Sequence, residues 1–221
     1  MSEPSTAAHR TKTMIENFSN LVFGLALSLG SIVLIPKPAQ TPSDLVIDIG
    51  EFGFSFLIVV WIWSGYTRTI SFFPFEIPGT FILNVVLLFC VSIAPYLFYE
   101  LFLVQTQTQA SLTFLGFASS LYALDAGAMM LILAGMTYLL LREEKRRSSP
   151  TAGFNRARFT RVMYAEIGSG TIFWVSALPF LWSPDPFGSL LRFDLWYFVF
   201  IFFFVTLRLR GLAARGKSAN G

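Results

Sequence analysis

Few residues in this chain are suited to bond-making chemistry, and their settings narrow it further. The single histidine, His9, lies in a polar N-terminal stretch, and the single cysteine, Cys90, lies inside an apolar run. A zinc site needs several nitrogen or sulfur ligands together, and Ser-His or Cys-His catalysis needs a base beside its nucleophile. Nothing in the chain supplies either arrangement, so no metal, cofactor or enzymatic activity is expected. One cysteine also excludes a disulfide within the chain. What remains is a set of polar side chains embedded in apolar sequence. Ser28 and Ser31 interrupt MIENFSNLVFGLALSLGSIVL, Asp125 interrupts LYALDAGAMM, and Glu166 sits in a fifth apolar stretch. Polar groups in such places either handle ions and protons or hydrogen-bond one helix to another.

The elements that must position them are membrane helices. The chain has 221 residues, 54% hydrophobic and only 13% charged, with a mean hydropathy of +0.63. Soluble domains carry roughly a quarter charged residues. Apolar segments at Phe18–Ile35, Val46–Tyr66, Thr80–Val104, Ser111–Leu141, Arg161–Trp182 and Leu190–Leu207 each approach the roughly 20 residues that span a bilayer. The expected fold is therefore an all-α integral membrane protein of six transmembrane helices. Residues 14–210 form one membrane domain between an N-terminal tail, 1–13, and a C-terminal tail, 211–221. The first apolar run is long and lacks a small-residue cleavage site, so a cleaved signal peptide is not expected.

Lysine and arginine set the orientation. Alternating the six segments places 14 of the 16 basic residues on one side and leaves Lys37 and Arg192 on the other. By the positive-inside rule both termini are cytoplasmic, in a plasma membrane of the bacterial inner-membrane type. Seven of the cations, Arg142, Lys145, Arg146, Arg147, Arg156, Arg158 and Arg161, lie in the fourth connection. They read first as an orientation signal and second as an anionic-lipid patch. Trp196 and Tyr197 in the last segment read as interfacial aromatics on a lipid-facing helix.

At 100° per residue, Leu21, Leu25, Ser28, Ile32 and Ile35 share a narrow arc of the first helix, with Asn20, Gly24 and Ser31 on a stripe beside it. Repeated around an axis, such aliphatic rungs form a constriction that gates by dewetting, and a hydroxyl layer replaces part of an ion's hydration shell. The same pattern also suits ordinary helix packing, where serines bond to backbone carbonyls.

Across the first three helices the order of residues resembles the transmembrane protein 175 family of potassium-permeable channels. The family's Arg-x-x-x-Phe-Ser-Asp signature corresponds to MIENFSN, where Phe18 and Ser19 match. Its second-helix Ser-Phe pair and Trp-x-x-His correspond to Ser55, Phe56 and Trp63. Its third-helix asparagine and proline correspond to Asn84 and Pro95 in NVVLLFCVSIAP. The resemblance covers about residues 10–104. Met14, Asn20 and Tyr66 stand where the family has arginine, aspartate and histidine. A lone charge at membrane depth costs roughly 2.5–3.5 kcal/mol on insertion scales, so losing all three members of an ionic network together is the tolerable way to lose any. Neutral hydrogen bonds involving Asn20 and Tyr66 are expected in their place.

The resemblance implies a six-helix unit that assembles as a homotetramer around a central pore lined by the first helix, without a Thr-Val-Gly-Tyr-Gly filter loop. Carried over by position, the constriction falls on Leu21, Leu25 and Ile32 and the selectivity hydroxyl on Ser28. The partners implied are further copies of the chain, potassium ions and membrane lipids, with no nucleic acid. Serine in place of threonine lacks a methyl group, which suits a wider and less selective pore. A non-conducting scaffold derived from a channel, a proton-permeable variant and a secondary transporter are the competing readings. The transporter reading is weakened by the lack of an inverted repeat.

Three carboxylates complete the inventory. Asp125, the deepest, reads equally as a proton relay or cation ligand and as a carboxyl hydrogen-bonded between helices packed closely at Gly127. Glu166 reads as a satisfied interfacial charge paired with Arg161 or a neighbouring chain. Glu16, three residues after Thr13, fits a capping box at the start of the first helix.

Overall fold

A computed structural model describes residues 4–32, 41–72, 79–103, 109–147, 151, 153–181 and 191–199. Their regular structure is all helical, with no strand among them. In order they form α1 (Pro4–Ile32), α2 (Pro42–Ser71), α3 (Thr80–Leu103), α4 (Gln109–Arg146), α5 (Arg156–Ser176), a short 3₁₀ turn (Pro179–Leu181) and a helical segment at 191–199. Four of the helices are long and apolar enough to cross a membrane: Lys12–Ile32, Pro42–Ser71, Thr80–Leu101 and Thr113–Arg146.

Local chemistry explains the starts of α2 and α5. The α2 helix begins at a reciprocal capping box: the Asp44 amide donates to Thr41 Oγ1 at 3.2 Å, and the Thr41 amide donates to Asp44 Oδ2 at 2.9 Å. Pro42 occupies the first helical position, where a missing N–H has no intrahelical partner to lose. The α5 helix begins where Asn155 Oδ1 accepts from the Arg158 amide at 3.0 Å. The start of α1 differs from expectation. Helix runs from Pro4, so Thr13 lies well inside it and is no N-cap, and Glu16 instead pairs with Lys12 at 3.8 Å. The polar tail is thus helical through most of its length. Helical periodicity without apolar residues left no signal there.

The core is built on α4, which packs along α5 and α3 and touches α2, while α1 lies against α3 and α2. Within a bilayer, apolar residues gain little by leaving lipid, so close helix approach depends on small residues and hydrogen bonds. Gly127 on α4 and Gly170 on α5 provide that approach. A Cβ on Gly127 would meet the Gly170 carbonyl oxygen at 2.9 Å as well as the Trp174 ring, whose Nε1 donates to the Leu124 carbonyl at 3.1 Å.

Residues 191–199 close the core in a way composition did not indicate. Trp196 is buried, not lipid-facing. Its indole donates to Ser176 Oγ at 2.7 Å and its ring lies 5.4 Å from Tyr122 and 5.1 Å from Phe193. Tyr197, next to it, is exposed as expected. Arg192 is wholly buried and ties three elements together. It donates from Nε to the Ser176 carbonyl at 2.7 Å, from Nη1 to the Gly116 carbonyl at 3.0 Å and to Ser119 Oγ at 2.5 Å, and from Nη2 to the Leu178 carbonyl at 3.1 Å. It is a clamp between the early turns of α4 and the end of α5 and not a free charge.

Candidate functional site

The α1 helix turns one face into the protein and leaves the other open. Ser19, Phe23 and Ala26 are buried against the neighbouring helices, whereas Met14, Phe18, Leu21, Leu25, Leu29 and Ile32 are each more than half exposed. Asn20, Gly24, Ser28 and Ser31 are exposed as well. All four residues assigned to the constriction and hydroxyl layer therefore lie on one uncovered face, and Leu29 joins them. Ile35, also on the expected arc, lies outside the described residues.

Both α1 serines on this face bond to their own helix. Ser28 Oγ donates to the Gly24 carbonyl at 2.8 Å, and Ser31 Oγ donates to the Ser28 carbonyl at 2.6 Å. A hydroxyl has one proton and two lone pairs. With its proton committed to the backbone, the Ser28 oxygen presents only acceptor capacity to the open face.

Two neutral contacts from α2 fix the rotation of α1. Tyr66, fully buried, donates its hydroxyl to Ser19 Oγ at 2.7 Å, with its ring 5.5 Å from that of Phe23. Trp63, one turn away, donates Nε1 to Asn20 Oδ1 at 3.0 Å. These bonds hold successive residues of α1, so rotating the helix in either direction breaks one of them. The third-helix Asn84 is buried, and its Oδ1 has no hydrogen-bond partner.

The deep carboxylates lie elsewhere. Asp125 shares a hydrogen bond with the Cys90 thiol across α3 and α4, while its Oδ2 has no hydrogen-bond partner. Gly127 opens the α4 surface toward α5, so the close glycine contact and the carboxyl serve different neighbours. Glu166 is buried between α5, α4 and α2 and is not paired with Arg161. Its Oε2 accepts from Thr137 Oγ1 at 3.4 Å, that hydroxyl lies 3.3 Å from Thr69 Oγ1, and its Oε1 lies 3.3 Å from where a Cβ on Gly65 would stand. The half-buried Arg68 is the cation that acts on it. A further buried bond, Tyr122 to Ser55 at 3.2 Å, joins α4 to α2.

Sequence reasoning missed the Arg192 clamp and the Thr69–Thr137–Glu166 chain. The only signal for them was the presence of polar residues in apolar segments, which carries no partner information. Among the described residues no three His, Cys, Asp or Glu side chains come together as a metal site.

No family model matches the sequence, and no curated protein does. The structure is similar to the crystal structure of a point variant of the potassium channel MtTMEM175 in complex with a nanobody–MBP fusion protein. The TM-score is 0.53 at 20% sequence identity, covering 89% of this chain and 92% of that one. The chain thus shares the helical fold of that structure over most of its length.

Proposed function

We propose that the chain is the subunit of a passive potassium-permeable cation channel, assembled as a homotetramer in the plasma membrane with six helices per subunit and both termini cytoplasmic. The observation that carries this reading is the open face of α1, where aliphatic rungs and a hydroxyl lie at helical spacing in a protein with a channel's fold. Four copies of that face around an axis make Leu21, Leu25 and Ile32 constricting rings. The Ser28 oxygens, their protons already committed to Gly24 carbonyls, form a layer of acceptors toward a passing cation. Transport follows the electrochemical gradient and involves no chemical step. Tyr66 and Trp63 keep the face oriented by holding Ser19 and Asn20.

A second reading is a non-conducting scaffold with the same fold. The bonds from Ser28 and Ser31 to their own helix favour it, since such serines also occur where helices merely pack.

Potassium and sodium flux from liposomes containing the purified protein separates the two. A channel gives potassium-preferring flux, Leu25→Ala enlarges it by opening the ring, and Ser28→Ala changes the cation preference. Unchanged flux in both variants, each verified as folded, removes α1 as the pore wall. No flux from any of the proteins supports the scaffold.

A further inference from the structure

The connection between α4 and α5 is a cationic surface with almost no counter-charge of its own. From residue 142 to residue 161 the sequence has seven cations and two carboxylates, a surplus of five. Arg142, Lys145, Arg146, Arg147, Arg156, Arg158 and Arg161 are all exposed. One carboxylate is already engaged: Glu144 accepts the Thr151 amide at 2.6 Å on one oxygen and the Thr151 hydroxyl at 2.8 Å on the other. Among the described residues, no salt bridge joins Glu143 or Glu144 to these cations.

The cations are also held on a fixed support. The Glu144–Thr151 bonds draw the chain back after α4, and Asn155 caps α5. Phe154 stacks on Phe159 at 4.7 Å, and both rings meet Phe72 at the end of α2, at 5.8 and 5.5 Å. Each helix then carries an exposed tyrosine about one turn toward its interior. Tyr138 lies four residues before Arg142, and Tyr164 lies three residues after Arg161. Tyrosine favours the headgroup level, where its ring contacts chains and its hydroxyl meets water. In the membrane placement proposed above, the guanidinium groups beyond each tyrosine then stand at the depth of lipid phosphates.

We propose that this surface binds the headgroups of anionic phospholipids, with Arg142, Arg146 and Arg161 as the principal phosphate ligands. Guanidinium suits the role because it engages phosphate through two parallel N–H bonds. The inference rests on the membrane placement argued above and on no assumption about conduction.

The test is lipid retention by the purified full-length chain. Protein in detergent is incubated with equimolar phosphatidylglycerol and phosphatidylcholine, passed through size exclusion, and its bound lipid counted by mass spectrometry. Phosphatidylglycerol should be enriched severalfold, and raised salt should reduce that enrichment. Each cation near an anionic surface contributes on the order of a fivefold effect, so Arg142→Gln/Arg146→Gln/Arg161→Gln should abolish the preference. The corresponding triple lysine variant should retain much of it. Displacement by soluble glycerol phosphate at matched concentration would identify a free-phosphate site and overturn the lipid assignment. Equal retention of the two lipids by the wild-type protein would overturn it as well, and so would full preference in a folded glutamine variant. If the glutamine variant does not fold, the wild-type salt and competition measurements still decide. Because nothing here reads ion flux, a silent channel leaves this result unaffected.

Discussion

At the residue scale, polar groups inside this protein are placed so that almost every proton has a destination. Tyr66 reaches Ser19, Trp63 reaches Asn20, and the Ser28 and Ser31 hydroxyls reach carbonyls of their own helix. In a bilayer this matters more than in water, because lipid chains offer no replacement partner. Arg192 is the extreme case, since its guanidinium reaches the Ser176 carbonyl that the end of α5 leaves open, together with the Gly116 and Leu178 carbonyls. Arg192→Met keeps a similar length but removes the donor to the Ser176 carbonyl, whereas the Gly116 carbonyl keeps the Ser119 and Ser120 hydroxyls and the Leu178 carbonyl keeps the Leu181 amide. A loss of about 3 kcal/mol is expected, from hydrogen bonds to a charged group worth about 1.5–3 kcal/mol each and only partly replaced. Thermal unfolding of the purified variant in detergent checks this. An unchanged midpoint would mean the clamp contributes nothing.

At the element scale, the helices divide into a well-packed group and an exposed pair. The α3 and α4 helices bury about half of their spanning windows, whereas α1 and α2 leave most of theirs uncovered. The α4–α5 contact depends on two glycines with no spare room. Gly127→Ala places a methyl against the Trp174 ring and the Gly170 carbonyl. It should cost about 1–3 kcal/mol, as overpacking does, and should release the bond from Trp174 to the Leu124 carbonyl. A changed tryptophan emission together with a lowered unfolding temperature is the expected signature. Gly168→Ala, on α5, serves as the control, because a Cβ there meets nothing within 4 Å. Wild-type behaviour from both variants would show that the α4–α5 approach tolerates a methyl.

At the scale of the whole molecule, the open side of α1 is the main uncompleted feature. Six large apolar side chains from Met14 to Ile32 have no covering partner within one subunit. Under the proposed assembly, the protein mass in a detergent micelle measured by light scattering should be four times 24.8 kDa, about 99 kDa. A species of single-subunit mass that still conducts would rule out a four-copy pore. The partial exposure of Trp63 beside Asn20 also places the contact that orients α1 next to the open face. An assembled neighbour would therefore bear on both.

The sequence by itself determined that this is a helical membrane protein. It located α2, α3 and α4 to within a few residues, because a sustained apolar run is a signal that survives without any knowledge of neighbours. Helical periodicity also grouped Leu21, Leu25, Ser28 and Ile32 on one arc of α1, but that this arc is exposed in a single subunit came from the tertiary structure. The sequence could not determine which polar residue meets which. Glu166 was expected to pair with Arg161 or a neighbouring chain, and within the subunit it accepts from Thr137. Trp196 was expected at the membrane interface on a lipid-facing helix and lies in the core, and Arg192 was counted only as one of two cations on the outer side and holds three elements together. Those outcomes depend on how helices far apart in the chain cross and rotate. That is decided by contacts such as Gly127 with Gly170, where backbones approach and side chains from different segments first come within hydrogen-bond reach.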